Sequence, residues 1–306
     1  MAILVAIPGT VIWGYSVGGA VFAIGLATMF LRGEWQKARG LDKLVLFGPL
    51  FFAVPLAAFG TEHFTLTQEI ASIVPSFIPW HMFWAYFVGA CFIAGPLAMV
   101  TRIQARLAAS LIALTFFLFV VLMDVPAIAQ GQHDRIVVAL AFRELSFSSG
   151  ALAFAAMLTH QLIERGERAS RLLATAGATV ARHVVAIGAL FYSFEQFRHA
   201  DHVPGVPLDR VTPSYVHWHV FWDYLAAVIY LVAGIPLLVG KKTRAAAAWI
   251  GLAVFVVVLA VYVPIAIVDR ASLDNGLNYF FDTLMYCGAV LMLAGAMPRE
   301  TSTQAR

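Results

Sequence analysis

Long apolar stretches, each about 20 residues or more, alternate with short charged joints along the chain. A helix of about 20 apolar residues crosses roughly 30 Å of hydrocarbon, so each stretch is long enough to span a membrane. The pattern predicts nine transmembrane helices, at residues 8–31, 44–61, 79–100, 105–129, 138–162, 184–200, 216–239, 245–268 and 277–297.

Composition places the chain in a lipid bilayer. Hydrophobic residues make up 61% and charged residues 12%, which is more apolar surface than one soluble core can hide. Cys91 and Cys287 both lie in apolar stretches and are too few for a disulfide framework. The sequence contains no P-loop, HExxH, CxxC or haem-attachment motif, which argues against chemistry on a soluble cofactor. The net charge of +3 follows from the basic joints and gives no support to a nucleic-acid partner.

The basic joints also predict an orientation. Assigning the joints alternately to two sides puts fifteen Lys and Arg residues on one side and five on the other. The richer side is cytoplasmic by the positive-inside rule. The first apolar stretch has no basic region before it and is too long for a signal-peptide core, so we expect it to be retained. We therefore predict an integral protein of a bacterial plasma membrane, with its N-terminus outside and its C-terminus in the cytoplasm.

The chain contains an internal duplication. PSFIPWHMFWAY at 75–86 aligns without gaps on PSYVHWHVFWDY at 213–224, an offset of 138 residues, and the same offset places Glu144 on Asp282. An offset of this length indicates that a whole structural unit, and not a short motif, occurs twice in the chain. Each unit would contain four helices, an even number, so both copies would cross the membrane in the same orientation.

The repeated unit resembles the DoxX/DoxD-like family of four-helix membrane proteins. His63–Phe64 fits the helix end typical of that family, where the second copy has Gln196–Phe197. Thr101–Arg102 and Thr243–Arg244 fit its basic turn. Some members are similar to a subunit of a thiosulfate:quinone oxidoreductase. The resemblance implies a quinone- or lipid-interacting membrane protein, with a redox partner subunit that supplies electrons.

The predicted fold is thus an all-α polytopic membrane protein, with two parallel four-helix DoxX-like repeats and one N-terminal helix. Its expected parts are an N-terminal helix and joint (1–43), repeat one (44–163), a basic cytoplasmic linker (164–182), repeat two (183–298) and a disordered tail (299–306).

Acidic and imidazole side chains concentrate on the outer side. Twelve of seventeen carboxylates and seven of nine histidines fall there or in the outer half of a span. Glu144 lies about six residues into its helix, on the order of 9 Å deep, and Asp282 matches it. A carboxylate at this depth costs at least a few kcal/mol unless it is paired, hydrated or protonated. Arg143 points about 100° away from Glu144, so we expect it to pair with another helix.

An acid–base pair is predicted in the second copy. His219 and Asp223 are four residues apart on one helix face, where the imidazole can donate to the carboxylate. The first copy has His81 but Ala85. The candidate catalytic residues are His219, Asp223, Glu144, Asp282, Glu195, Glu62 and His81.

Histidines and aromatic residues offer two further candidate sites, each with a simpler alternative. His199, His202 and His217 could bind zinc or copper, or could instead form ordinary loop hydrogen bonds. Four aromatic residues could form the walls of a substrate pocket, namely Phe83, Trp84, Phe221 and Trp222. The tryptophans Trp80, Trp84, Trp218 and Trp222 could instead form an interfacial belt at the helix entrances.

These residues predict a polar pocket that opens outward and binds a quinone or another hydrophobic small molecule, with carboxylate and imidazole groups moving protons. Two alternatives remain open. One is a metal-handling or proton-coupled transporter, since parallel repeats suit alternating access. The other is a structural or assembly subunit of a membrane redox complex, in which the buried acids hold helices together.

Overall fold

The computed structural model describes residues 7–131, 134–206 and 209–299. Across these residues nine helices are long and apolar enough to cross a membrane, which confirms the all-α polytopic fold. They are α1 (Gly9–Leu31), α2 (Asp42–Thr65), α3 (His81–Thr101), α4 (Ala105–Ala129), α5 (Arg135–Glu164), α6 (Leu173–Arg198), α7 (His219–Val239), α8 (Thr243–Val268) and α9 (Leu273–Ala296). Short helices Glu34–Lys37 and Thr67–Ile73 lie in the connections. The predicted disordered tail lies outside the described residues from residue 300 onward.

The basic connection between α5 and α6 is shorter than the predicted linker at 164–182, because α6 already begins at Leu173. Arg182 lies within α6 and donates to the carbonyl oxygens of Leu237 and, at 2.9 Å, of Leu238. Carbonyl groups at the end of a helix have no intrahelical partner. The guanidinium group is therefore satisfied inside the bundle, and its charge does not end the helix.

Backbone irregularities recur at the offset of 138 residues. α4 and α8 each contain a π-helical turn, at Val120–Asp124 and Val258–Tyr262. Pro126 follows the turn in α4 and Pro264 follows the turn in α8. Proline lacks the N–H group that would donate to the carbonyl oxygen four residues before it. The π-helical turn thus falls where proline interrupts the hydrogen-bond ladder. Residues with left-handed backbone conformation repeat in the same way, Trp80 with Trp218 and Gln104 with Lys242.

The two repeats share one interior. Consecutive helices pack together within each repeat, and the repeats meet where α2 packs on α9, α5 on α6, and α5 on α9. The first two of these contacts are equivalent, because in each the first helix of one repeat packs on the fourth helix of the other repeat. The central spans α9 and α2 are 83% and 78% buried, whereas the α1 helix packs on α2 and α3 and is 28% buried.

Small residues let the central helices approach closely. A Cβ atom added to Gly150 on α5 would lie 2.4 Å from the Cβ of Ala289 on α9. One added to Gly288 on α9 would lie 2.4 Å from the backbone nitrogen of Phe52 on α2. Both distances are far below van der Waals contact. Close backbone approach through small residues is a main source of helix association in membranes.

Replacing Gly288 with alanine is expected to lower the thermal stability of the purified protein, because the backbone of α2 cannot move aside as a side chain can. Overpacking of this kind typically costs about 1–3 kcal/mol. Gly19→Ala is the matched control, since a Cβ atom there meets nothing within 4 Å. Thermal unfolding in detergent should give a lower midpoint for Gly288→Ala alone; equal midpoints for the two variants would contradict this packing.

Candidate functional site

Arg143 forms an ion pair that joins the two repeats. Its Nη1 atom donates to Oδ2 of Asp282 at 2.7 Å, which connects α5 to α9. Its Nη2 atom lies 3.8 Å from Oε1 of the neighbouring Glu144. The expectation that Arg143 pairs with another helix is confirmed. The position equivalent to Arg143 in the second copy holds Phe281, so the duplication supplies this cation once.

Two further carboxyl groups complete an acidic cluster, which comprises Glu62, Asp124, Arg143, Glu144 and Asp282. The Asp124 side chain, at the end of the π-helical turn in α4, lies close enough to Glu144 to interact electrostatically. Glu62, near the end of α2, lies close enough to interact electrostatically with Asp282. The cluster therefore contains four acids and one base.

The cluster lies deeper than the sequence indicates. Glu144 lies nine residues after Arg135, the first residue of α5, and Asp282 lies nine residues after Leu273, the first residue of α9. This is about 14 Å at 1.5 Å per residue. The greater depth arises because α5 and α9 begin earlier than predicted, at residues 135 and 273 instead of 138 and 277.

Several polar atoms of the cluster are buried without a hydrogen-bond partner among the described residues. They are Oε1 of Glu62, Oδ2 of Asp124, Oε2 of Glu144 and Nε of Arg143. Buried polar groups in proteins almost always have a partner, which can be water or a ligand. The cluster thus has unused capacity to bind water, protons or the polar atoms of a ligand.

Glu195 forms a separate group at the end of α6. Glu195 occupies the same place at the end of α6 as Glu62 does at the end of α2. The backbone carbonyl of Glu195 accepts from the N–H of His199, and that of Glu62 accepts from the N–H of Leu66. The Oε2 atom of Glu195 lies 3.7 Å from Arg135 and 3.9 Å from Nε2 of His199. Burial lowers the pKa of His199, and the charge of Arg135 adds to this effect, so the imidazole is neutral at pH 7.

The hydrogen bond predicted between His219 and Asp223 is not formed. Asp223 is fully buried, and neither of its oxygen atoms has a hydrogen-bond partner in the described part of the chain. Its neighbours include the buried Tyr262. His219 is the first residue of α7 and stays half-buried at the helix entrance, one turn above Asp223. His81 occupies the same place at the start of α3. Four-residue spacing aligned the two side chains, but the difference in depth separates them.

Buried tyrosines extend between the acidic cluster and Asp223. The rings of Tyr192 and Tyr286 are 5.8 Å apart, and those of Tyr286 and Tyr230 are 6.2 Å apart. The Tyr192 hydroxyl lies near Arg143 and donates to the carbonyl oxygen of Ala139 at 2.6 Å, whereas the Tyr286 hydroxyl has no partner among the described residues. The two acidic regions are therefore separated by polar rings as well as by aliphatic packing.

Three of the four aromatic residues predicted to wall the pocket are exposed at the start of α3 and α7, whereas Trp222 is half-buried and packs against a buried cluster that includes Val203 and Val216. Phe83 and Phe221 are each 53% exposed at the entrances of α3 and α7. The indole Nε1 of Trp84 donates to the carbonyl of Pro79 at 3.0 Å, and Trp222 makes the equivalent bond to His217 at 3.2 Å. Aromatic side chains at helix ends, with their N–H groups satisfied locally, form the interfacial belt given as the alternative. The exposure of Phe83, Trp84 and Phe221 in the first turns of α3 and α7 favours the belt for these residues, and a wall role for Trp222 stays a prediction.

The predicted zinc or copper site is not assembled. No group of three or more His, Cys, Asp or Glu side chains within residues 7–131, 134–206 and 209–299 could hold a metal ion. The His199 and His202 rings are 5.5 Å apart, but Nδ1 of His202 donates to Asp201 at 2.8 Å, and this bond lowers the pKa of Asp201. His217 is exposed before α7.

An apolar groove of about 270 Å³ lies between α1, α2 and α9. Phe281 faces this groove, whereas the next residue, Asp282, faces Arg143. The groove and the acidic cluster therefore occupy different sides of the same helix. The other lining residues are Tyr15, Gly19, Phe22, Phe51, Val54, Phe280 and Leu284.

Sequence analysis did not select Asp124 or the groove. Asp124 directly precedes Val125–Pro126, which the duplication aligns on Val263–Pro264, and an acid beside a repeated proline was the available clue. The groove depends on how α1 packs, and α1 lies outside the repeat. In comparisons with protein-family models, curated proteins and solved structures, nothing matches this chain, so the DoxX-like resemblance stays a prediction.

Removing the cation of the acidic cluster should destabilise the protein. Arg143→Gln leaves Asp282 buried without its counter-ion, and breaking such a pair costs on the order of 3 kcal/mol. Adding Asp282→Asn to this variant should restore part of the loss, because the uncompensated charge is then removed. The measurement is the thermal unfolding midpoint, with the exposed Arg171→Gln as control. A double variant as unstable as Arg143→Gln would contradict the assigned pair.

Proposed function

We propose that the chain is a DoxX-like protein of the bacterial plasma membrane that exchanges protons between its acidic cluster and a lipid-soluble ligand of the quinone class. The observation that carries this proposal is the excess of acid in the cluster, four carboxyl groups around one guanidinium group. A network that only held helices together would be expected to balance its charges. Ionisable groups inside a membrane mark proton pathways and ligand sites by default.

The groove beside α1 supports the ligand class. Its phenylalanine rings suit a planar apolar ring system, and Tyr15 adds a hydroxyl group at its edge. Its lining residue Phe281 directly precedes Asp282 of the acidic cluster, so the groove and the cluster lie on two sides of the same segment of α9. Reducing a quinone to a quinol takes up a pair of electrons and a pair of protons. The cluster would exchange the protons, and a partner subunit would exchange the electrons, since the sequence contains no recognisable haem or paired-cysteine motif.

The proposed orientation places the acidic cluster in the outer half of the membrane, with the N-terminus outside. The basic residues at the opposite helix ends support this orientation by the positive-inside rule. Protons would then exchange with the outer aqueous phase, through the ends of α2, α4, α5 and α9.

Filling the groove should abolish quinone binding. Gly19 lines the groove and a Cβ atom there meets nothing within 4 Å, so the side chain of Gly19→Leu is expected to extend into the groove. Gly9→Leu is the matched control, since Gly9 is equally open and lies at the start of α1 outside the groove. Binding of a short-chain ubiquinone to detergent-purified protein should be lost in Gly19→Leu and kept in Gly9→Leu. Equal binding by both variants, or no binding by the parent protein, would refute the ligand assignment.

Proton exchange at the cluster is tested separately. Binding of the same ubiquinone should change the infrared carboxyl C=O band, and Asp124→Asn or Glu144→Gln should remove that change. Glu69→Gln should not, because Glu69 is exposed in the short helix Thr67–Ile73. Thermal unfolding of each variant separates a chemical effect from loss of fold. A band change that persists in both cluster variants would argue against proton exchange there.

Proton-coupled transport is the second candidate function, favoured by a cavity at the opposite end of the bundle. Three phenylalanine rings pack edge-to-face between this cavity and the acidic cluster. The ring centroid of Phe147 lies 6.3 Å from that of Phe52 and 5.4 Å from that of Phe116. Rearrangement of this aromatic layer could connect the two ends in turn, as alternating access requires. Proteoliposomes containing a pH-sensitive dye would reveal substrate-driven proton movement, which ligand binding alone does not produce.

A further inference from the structure

A cavity of about 1110 Å³ lies at the end of the bundle opposite the acidic cluster. Its lining includes residues that match under the duplication, Phe154 with Met292 and Arg106 with Arg244. The cavity therefore lies where the C-terminal ends of α5 and α9 face each other across the two repeats. The joint after α1, which is not part of the repeat, closes one side with Lys37.

The cavity combines an apolar floor with a basic rim. Phe154, Leu158, Leu291 and Met292 contribute to the floor. Seven Lys and Arg side chains line the cavity, against three Asp and Glu side chains. This is the arrangement that suits an amphipathic anion, with an apolar part below and a charged group at the rim.

Two of the three carboxylates that line the cavity are already shared between arginines, and the third, Glu164, lies 3.3 Å from His160. Glu34 and Asp42 each accept from two guanidinium groups, so neither neutralises a further cation. Lys37, Arg106 and Arg165 form no ion pair with any described residue. The pairs are Arg32 and Arg102 on Glu34, at 3.1 and 3.2 Å, and Arg244 and Arg299 on Asp42, at 2.5 and 3.2 Å.

Arg102 is held in the wall of the cavity. Its guanidinium group lies over the ring of Phe154, 5.1 Å from the ring centroid, and its Nη2 donates to Glu34 at 3.2 Å. Its Nη1 is buried and has no hydrogen-bond partner among the described residues. The backbone of Arg102 adopts the left-handed conformation, with φ of 66°, which is uncommon for a residue other than glycine. Arg102 therefore has a positioned donor that an anion in the cavity can accept from.

The positive-inside rule explains why basic residues lie at these helix ends, but it does not explain their convergence. A residue that only sets topology can extend freely into water. Here the joint after α1, the turn between α3 and α4, and the ends of α5, α8 and α9 direct cations at one cavity. Arg102 additionally carries a buried Nη1 donor that no described residue accepts.

We propose that this cavity binds the phosphate group of an anionic amphiphile, through the guanidinium groups of Arg102 and Arg106 above the apolar floor formed around Phe154. Guanidinium groups donate paired hydrogen bonds to phosphate oxygens, and basic pockets between membrane helices suit phospholipid head groups. The phosphate could belong to a membrane phospholipid or to a soluble phosphate ester. The proposal is independent of the quinone assignment, which concerns the opposite end of the bundle.

Native mass spectrometry of the full-length protein tests this proposal. The protein is equilibrated with phosphatidylglycerol or with phosphatidylcholine and then stripped with increasing detergent. We expect phosphatidylglycerol to be retained selectively. Arg102→Gln and Arg106→Gln should each weaken retention about tenfold, the effect of losing one charge-assisted hydrogen bond. Arg168→Gln removes the same charge from an exposed position outside the cavity and should retain the lipid.

Arg106→Gln keeps the test independent of folding, because Arg106 has no ion pair among the described residues to lose. Titration with inorganic pyrophosphate distinguishes the two sources of the phosphate. Binding of pyrophosphate that is lost in Arg102→Gln, without selective lipid retention, assigns a soluble phosphate ester and supports the site. Equal retention of both lipids with no pyrophosphate binding would overturn the proposal, as would equal affinity in Arg102→Gln, Arg106→Gln and Arg168→Gln.

Discussion

The ion pair between Arg143 and Asp282 is the interaction on which the arrangement of the two repeats depends. Each of these ions loses several kcal/mol of hydration in a low-dielectric interior, so neither is tolerated there alone. Two helical turns further along the same pair of helices, Gly150 meets Ala289 closely. The close packing sets the separation of α5 and α9, and the ion pair fixes their register. Both features connect one repeat with the other, which is why the halves share an interior.

Duplication has preserved the backbone of this protein more strictly than its chemistry. The π-helical turns, the left-handed residues and the indole hydrogen bonds before α3 and α7 all recur. The inward-facing side chains differ: Asp124 corresponds to Tyr262, and Ala85 to Asp223. Proton-binding groups are concentrated at the acidic cluster, whereas Asp223 stands apart among buried tyrosines. The repeat provides two similar frameworks, and substitution has given them different side chains at equivalent positions.

The sequence was sufficient for features that depend on local pattern. Apolar length predicted the nine spans, and the 100° separation of helix neighbours predicted that Arg143 would pair with a residue of another helix. It failed where a feature depends on which helix lies opposite. The spacing of His219 and Asp223 predicts a shared helix face but does not predict a shared depth. The aromatic residues in the first turns of α3 and α7 fit both a pocket wall and an interfacial belt, because the sequence does not show which way they point. The cavity around Arg102 combines segments from both ends of the chain, and no local pattern connects Lys37 with Met292.

The single helix outside the repeat, α1, has an effect beyond the contacts it makes. Two four-helix units alone would return the chain to the face from which it started, with both ends in one compartment. One additional crossing leaves the direction of each unit unchanged and moves the amino end to the other side. The side of the bundle on which α1 begins, relative to the two repeats, is therefore determined by this one helix, and the acidic cluster keeps its place within the repeats whether or not α1 is present.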